Sequence, residues 1–124
     1  DCDVLVADGG TRTTSISGAY VALALAIKQL MKEGLLTKSP ITDQLAALSV
    51  GINKENKIIA DLNYDEDSSC HTDMNIVMTK SGKFVEVQGT AEGQPFSREE
   101  LNALLECAEN ALKSVFHAQD EALK

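Results

Sequence analysis

From Ser97 onward, Leu101, Leu104, Leu105, Ala108, Leu112 and Val115 recur every three or four residues, the spacing of an apolar stripe along one side of a helix. Ser97 followed by Glu100 forms a capping box, so this helix has a defined start. Upstream the period changes to two. Met74, Ile76 and Met78 alternate with Asp73 and Asn75 over the span Asp73 to Thr79, the pattern of a strand with one apolar face. A striped helix and a one-faced strand bury each other, which places the chain in the α+β class.

Other segments fill in the order. Leu45 to Ile52 and Ile58 to Leu62 read as strands joined by the polar hairpin Asn53-Lys54-Glu55-Asn56-Lys57. Asp65 to Ser69 reads as an acidic loop, Lys80 to Lys83 as a turn, Phe84 to Gln88 as a strand and Gly89 to Pro95 as a loop. Near the start, Val4-Leu5-Val6-Ala7 reads as a short buried strand ended by Asp8-Gly9-Gly10. A helix follows, with Ile16, Tyr20, Leu23, Ile27 and Leu30 on one face. Its flanks carry Ala19, Ala22, Ala24 and Ala26, so burial on more than one side is expected. Lys28 and Lys32 suit its negative end, and Gly34 suits its cap. The expected architecture is a βα unit, two hairpins and a C-terminal helix around an antiparallel or mixed sheet, with residues 1–124 as one domain. No internal repeat or low-complexity segment divides it.

Charge narrows the partners. Nineteen acidic residues against eleven basic ones give a net charge of −8, which opposes unaided capture of a polyanion. No run of about eighteen apolar residues is evident and no signal peptide opens the chain, so no membrane partner is expected. Cys2, Cys70 and Cys107 are an odd set without paired spacing, as in reduced thiols of a cytoplasmic protein. A zinc site from Cys70, His71 and His117 has no supporting spacing. The chain opens at Asp1 and enters an apolar run almost at once, which reads as part of something longer.

Three stretches carry polar groups in suggestive patterns. Asp8-Gly9-Gly10-Thr11-Arg12-Thr13 sits between the first apolar run and a helix start. Free helical N–H groups and the dipole favour an anion there, and Arg12 adds a forked, permanently charged donor. Phosphate is the natural ligand, although no Walker A lysine follows and no GxGxxG is present. A tight turn with a solvated Arg12 reads the same residues equally well. The run from Asp61 to Asp67, with Asp73 beyond it, gathers carboxylates but fails the calcium-loop pattern at Glu66 and Thr72. It suits Mg²⁺ or a merely solvated loop. Glu86, Gln88 and Thr90 share one strand face and read as solvent-facing.

Taken together, Asp8-Gly9-Gly10-Thr11-Arg12-Thr13, Ser17-Gly18, Tyr64-x-Glu66-Asp67-Ser68, Asp73-Met74-Asn75 and Glu86-Val87-Gln88-Gly89-Thr90-Ala91-Glu92 resemble the ribonuclease PH family in order and spacing. The resemblance runs over nearly the whole chain and covers the C-terminal half of the family's length. It implies the ribonuclease PH-type fold, here as a partial domain. It also implies a phosphate-dependent 3′→5′ exoribonuclease, a nucleotidyltransferase that trims transfer-RNA precursors and releases nucleoside diphosphates. Carried over, Gly10, Thr11 and Arg12 bind phosphate, Asp67 and Asp73 hold Mg²⁺, and Arg12, Asp67 and Asp73 serve catalysis. Asn75 stands where related polynucleotide phosphorylases carry a lysine. The resemblance further implies a missing N-terminal half with another phosphate-binding arginine, a hexamer built as a trimer of dimers, and RNA as partner; with the net charge of −8 and an opening apolar run that lacks neighbours, this half alone is expected to be inactive or nearly so. Two other readings stand beside it: a non-catalytic subunit of an exosome-like ring, and an anion-binding module without RNA.

Overall fold

The computed structural model describes all 124 residues. Four antiparallel strands, β1 (Leu45–Ile52), β2 (Ile58–Ala60), β3 (Thr72–Thr79) and β4 (Phe84–Ala91), form one sheet in the order β2-β1-β3-β4. The two hairpins are joined by the long β1–β3 ladder, which sets Leu48 opposite Ile76 and Val50 opposite Met74. Three helices complete the chain: α1 (Thr11–Lys32), α2 (Tyr64–Ser69) and α3 (Arg98–Ala122).

The period-two and period-3.6 patterns meet as expected. Ala46, Leu48, Val50 and Ile52 of β1 and Met74, Ile76 and Met78 of β3 lie under Leu104, Ala108, Leu112 and Phe116 of α3, forming one core. Each fully buried leucine there contributes about 1.5–3 kcal/mol relative to exposure. Ser97 and Glu100 make the reciprocal capping bonds that start α3. The opposite face carries Asp73, Asn75 and Val77 of β3 beside Thr90, Gln88 and Glu86 of β4, paired in that order.

The helix α1 meets chiefly β1, and it does so through a hydroxyl. The strand β2 pairs only with Val50 to Ile52, leaving Ala47 without a strand neighbour on that side. The Ser17 hydroxyl fills the gap, donating to the Ala47 carbonyl at 3.0 Å and accepting from its N–H at 2.9 Å. Buried Gln119 ties the junction, its Nε2 donating to the carbonyls of Ser17 and Leu45, both at 2.9 Å, while its Oε1 accepts from Gln44 Nε2.

Several expectations are corrected. Val4 to Ala7 is not a strand: Leu5 and Val6 are 93% and 94% exposed, because the segment runs beside α1, which offers no backbone ladder. Within this chain α1 is not buried on several sides. Only Thr13 and Ile27 are buried, since the helix touches the sheet along a narrow strip. With a mean hydropathy of 1.2 over its most apolar window, α1 is also long and apolar enough, by length and composition alone, to cross a membrane. The acidic loop is instead α2, because Asn63 and Glu66 form a second capping box and three carboxylates favour the helix N-terminus. The strand β2 ends at Ala60 because Asp61 turns to φ 59°. The strand β4 runs on to Ala91, past Gly89, whose missing side chain makes room for Met74: a Cβ there would lie 2.2 Å from its Cγ.

Candidate phosphate and carboxylate site

The anion site builds from the backbone of Gly10. This residue is the N-cap of α1 at φ 61°, with no side chain to bond the helix's first N–H groups. The first helical hydrogen bond is Thr14 N–H to the Gly10 carbonyl at 2.9 Å, so the N–H groups of Thr11, Arg12 and Thr13 precede the ladder. Thr11 and Arg12 are exposed. The Thr13 hydroxyl donates back to the Gly10 carbonyl at 2.9 Å, which assigns it to the turn and not to a ligand.

The same loop is fastened to the acidic segment. Gly9 packs so closely on the β2–α2 connection that a Cβ would lie 2.3 Å from the Leu62 carbonyl oxygen. Asp8 Oδ1 accepts the Tyr64 N–H at 3.1 Å, at the first residue of α2. Two stretches far apart in sequence are thereby brought together.

Asp67 stands exposed on α2, and Asp73 is half-buried at the start of β3. Burial first, then the charges of Asp67 and Glu92, hold the Asp73 carboxyl above its ordinary range. Between them in sequence, the Cys70 thiol is raised by burial, then by the charges of Asp67, Asp73 and Glu66. Both aspartates therefore act on one locality. Their crowding is the electrostatic condition that a hard divalent cation relieves, and Mg²⁺ takes few carboxylates when waters and phosphate complete its shell. No group of three or more His, Cys, Asp and Glu side chains forms a self-sufficient metal site, and Cys70, His71 and His117 are not gathered into one.

Arg12 does not reach toward Asp67 or Asp73. Its guanidinium crosses to β4 and meets Glu86, with Nη1 at 2.8 Å from Oε1 and Nη2 donating to Oε2 at 2.9 Å. The bond and charge of Arg12 hold the Glu86 carboxyl below its ordinary range, and Glu86 raises Arg12 in return. This corrects two readings: Arg12 is not merely solvated, and Glu86 is not a plain solvent-facing residue. The alternation put Glu86, Gln88 and Thr90 on one face, but only the pairing of β3 and β4 puts that face beside Asp73, and nothing in the alternation named Arg12 as the partner.

Part of the chain, residues 43–111 with Asp67, Asp73 and Glu86 among them, fits the 3′ exoribonuclease family, domain 2. The chain belongs to this family. It is 58% identical over 123 residues to ribonuclease PH of Bacillus subtilis and 56% identical over 123 residues to that of Bacillus velezensis, covering 99% of this chain in each case. The chain spans about half the length of these relatives, 50% of each. Among solved structures, rice (Oryza sativa) Rrp46 superposes over 96% of this chain and 50% of its own, with a TM-score of 0.67 at 16% identity. The Archaeoglobus fulgidus exosome with RNA bound to the active site matches 64% of this chain and 30% of its own, with a TM-score of 0.53 at 22% identity. These two likenesses establish the ribonuclease PH-like fold within the family, with its sheet antiparallel throughout.

Proposed function

We propose that the full-length protein is a phosphorolytic 3′→5′ exoribonuclease acting on RNA 3′ ends, transfer-RNA precursors among them. The supporting observation is the joining of two half-sites: the loop that ends in the open N–H groups of Thr11 and Arg12 is fixed to the start of α2, so a phosphate there lies beside the segment bearing Asp67 and Asp73. A phosphate oxygen attacks the phosphorus of the last phosphodiester, and the bond from that phosphorus to the 3′ oxygen of the preceding nucleotide breaks. The proton carried by the phosphate ends on that 3′ oxygen, and the terminal nucleotide leaves as a diphosphate. Chemistry of this kind is chiefly positioning and charge neutralisation.

In this reading the backbone N–H groups of Thr11 and Arg12 and the Arg12 guanidinium hold the attacking phosphate. Asp67 and Asp73 hold Mg²⁺, which when bound neutralises charge on the transferring phosphoryl group. The net charge of −8 leaves little on this chain to attract RNA. The remaining length of the full protein, and its assembly as a hexameric trimer of dimers, supply that attraction and a further phosphate-binding arginine.

The test incubates the full-length protein with a short RNA, Mg²⁺ and inorganic phosphate, then repeats with phosphate omitted. Phosphate-dependent release of nucleoside diphosphates is expected. Release of monophosphates regardless of phosphate would make it a hydrolase, and no release would leave a non-catalytic ring subunit.

A further inference from the structure

Glu86 is the charged group on the open face to which the phosphorolytic reading gives no task. It projects from β4 opposite Val77, on the face that also bears Asp73 and Asn75. Its two oxygens meet both terminal nitrogens of Arg12, at 2.8 and 2.9 Å. A guanidinium has five N–H groups in a planar fork. A carboxylate on the Nη1–Nη2 edge leaves the Nε–Nη2 edge, a second pair of parallel donors that suits two oxygens of another anion.

A different task is conceivable for Glu86, that of a rival holding Arg12 away until phosphate displaces it. The two-point contact decides between the two. Both carboxylate oxygens face the guanidinium, Oε1 at 2.8 Å from Nη1 and Oε2 accepting from Nη2 at 2.9 Å, so release of Arg12 would break both contacts at once. A phosphate arriving at the Nε–Nη2 edge breaks neither. The pair therefore holds together when phosphate arrives.

We propose that Glu86 is the positioning residue of the phosphate site: it pins one edge of the Arg12 guanidinium to the sheet and leaves the Nε–Nη2 edge to bind phosphate. This rests on the phosphorolytic reading above. The test uses the full-length protein with Glu86→Gln, which keeps the shape and removes the charge, and with Glu86→Asp, which keeps the charge on a shorter stem. Phosphate is varied at saturating RNA. Glu86→Gln is expected to raise KM for phosphate about tenfold, the usual scale for a charge-assisted bond, while kcat falls much less. Glu86→Asp should restore part of the loss.

A KM for phosphate that is unchanged or lowered in Glu86→Gln overturns the proposal, the second result marking Glu86 as a rival. Should Glu86→Gln fail to fold, Glu86→Asp carries the same test, with a smaller rise in the same direction. Direct titration with inorganic phosphate separates the two claims. Weaker phosphate binding by Glu86→Gln in a protein that never cuts RNA would keep the positioning role and sink the nuclease. Equal phosphate binding in an active nuclease would do the reverse.

Discussion

On one face of the sheet Leu48, Val50, Met74 and Ile76 are sealed beneath α3, while on the other Asp73, Asn75, Glu86, Gln88 and Thr90 stand in rows, with Arg12 of α1 against Glu86 and Asp67 of α2 acting on Asp73. Both sets come from the same two hairpins, one residue out of phase. The closed face is where folding free energy collects, because removal of apolar surface from water drives it. The open face gathers carboxylates against their own repulsion, with Asp73 held above the ordinary range by burial and by Asp67 and Glu92. A perturbed carboxyl in such company marks this face as the candidate functional site.

The sharpest way to break this division is Asp73→Asn in the full-length protein. Turnover is expected to fall by roughly 10²–10³, the scale seen when one charge-stabilising group is removed from such a site. Stability should move the other way. Folding raises the Asp73 carboxyl, so its contribution is fully present below the unfolded aspartate range and is lost as pH rises through the folded one. Without divalent cation, Asp73→Asn should therefore melt slightly above the parent at neutral pH, the gap closing as pH falls through the ordinary aspartate range. Added Mg²⁺ should raise the melting point of the parent and not of the variant. A variant that loses stability at neutral pH would place Asp73 among the structural residues.

The matching change on the closed face is Leu104→Ala. Leu104 is wholly buried among β1, β3 and the rest of α3. Its truncation removes apolar contact and leaves a cavity, with an expected loss of about 2–5 kcal/mol in denaturant unfolding. At a temperature where the variant is still folded, KM for phosphate should match the parent's. A changed KM would mean that the two faces are coupled through the sheet.

The closed face was the legible one. Apolar periodicity reports burial, and spacing alone marked Leu104, Ala108 and Leu112 on the helix and Met74, Ile76 and Met78 on the strand. Read from the residues themselves, Gly10, Thr11, Arg12, Asp67 and Asp73 were separate segments that only the family resemblance put together, since their physical joining depends on Gly9 lying against Leu62 and on Asp8 accepting from Tyr64. Glu86 stayed hidden because one strand's alternation cannot reveal which cation crosses to it from a helix 74 residues earlier. The buried Gln44–Gln119 contact escaped for the same reason: polar residues carry no periodic signature, and only the packing of α3 on β1 brings them together. Val4 to Ala7 misled because an apolar run states a preference for burial without stating what provides it.

The smallest expected effect compares one motif placed on each region. Both α2 and α3 start with a reciprocal capping box, Asn63 with Glu66 and Ser97 with Glu100. Replacing a capping side chain with alanine costs about 0.5–2 kcal/mol at either place. The consequences should differ because the helices differ in what else holds them. The long helix α3 buries Leu104, Ala108, Leu112 and Phe116, so Ser97→Ala should lower global stability by about 1 kcal/mol and leave the site alone. The helix α2 has six residues and buries none, so its cap is much of what keeps it wound. Asn63→Ala removes the acceptor of the Glu66 N–H, and Asp67, whose own N–H bonds to the Asn63 carbonyl, lies in the turn that then frays. Hydrogen exchange should show it directly, with faster exchange at Glu66 and Asp67 and little change in α3 or β3. Turnover of the full-length protein should drop several-fold, as expected when a charged group loses its fixed orientation. If Asn63→Ala instead lowered global stability as Ser97→Ala does, α2 would belong to the core and the division between the two faces would fail at the element that carries Asp67.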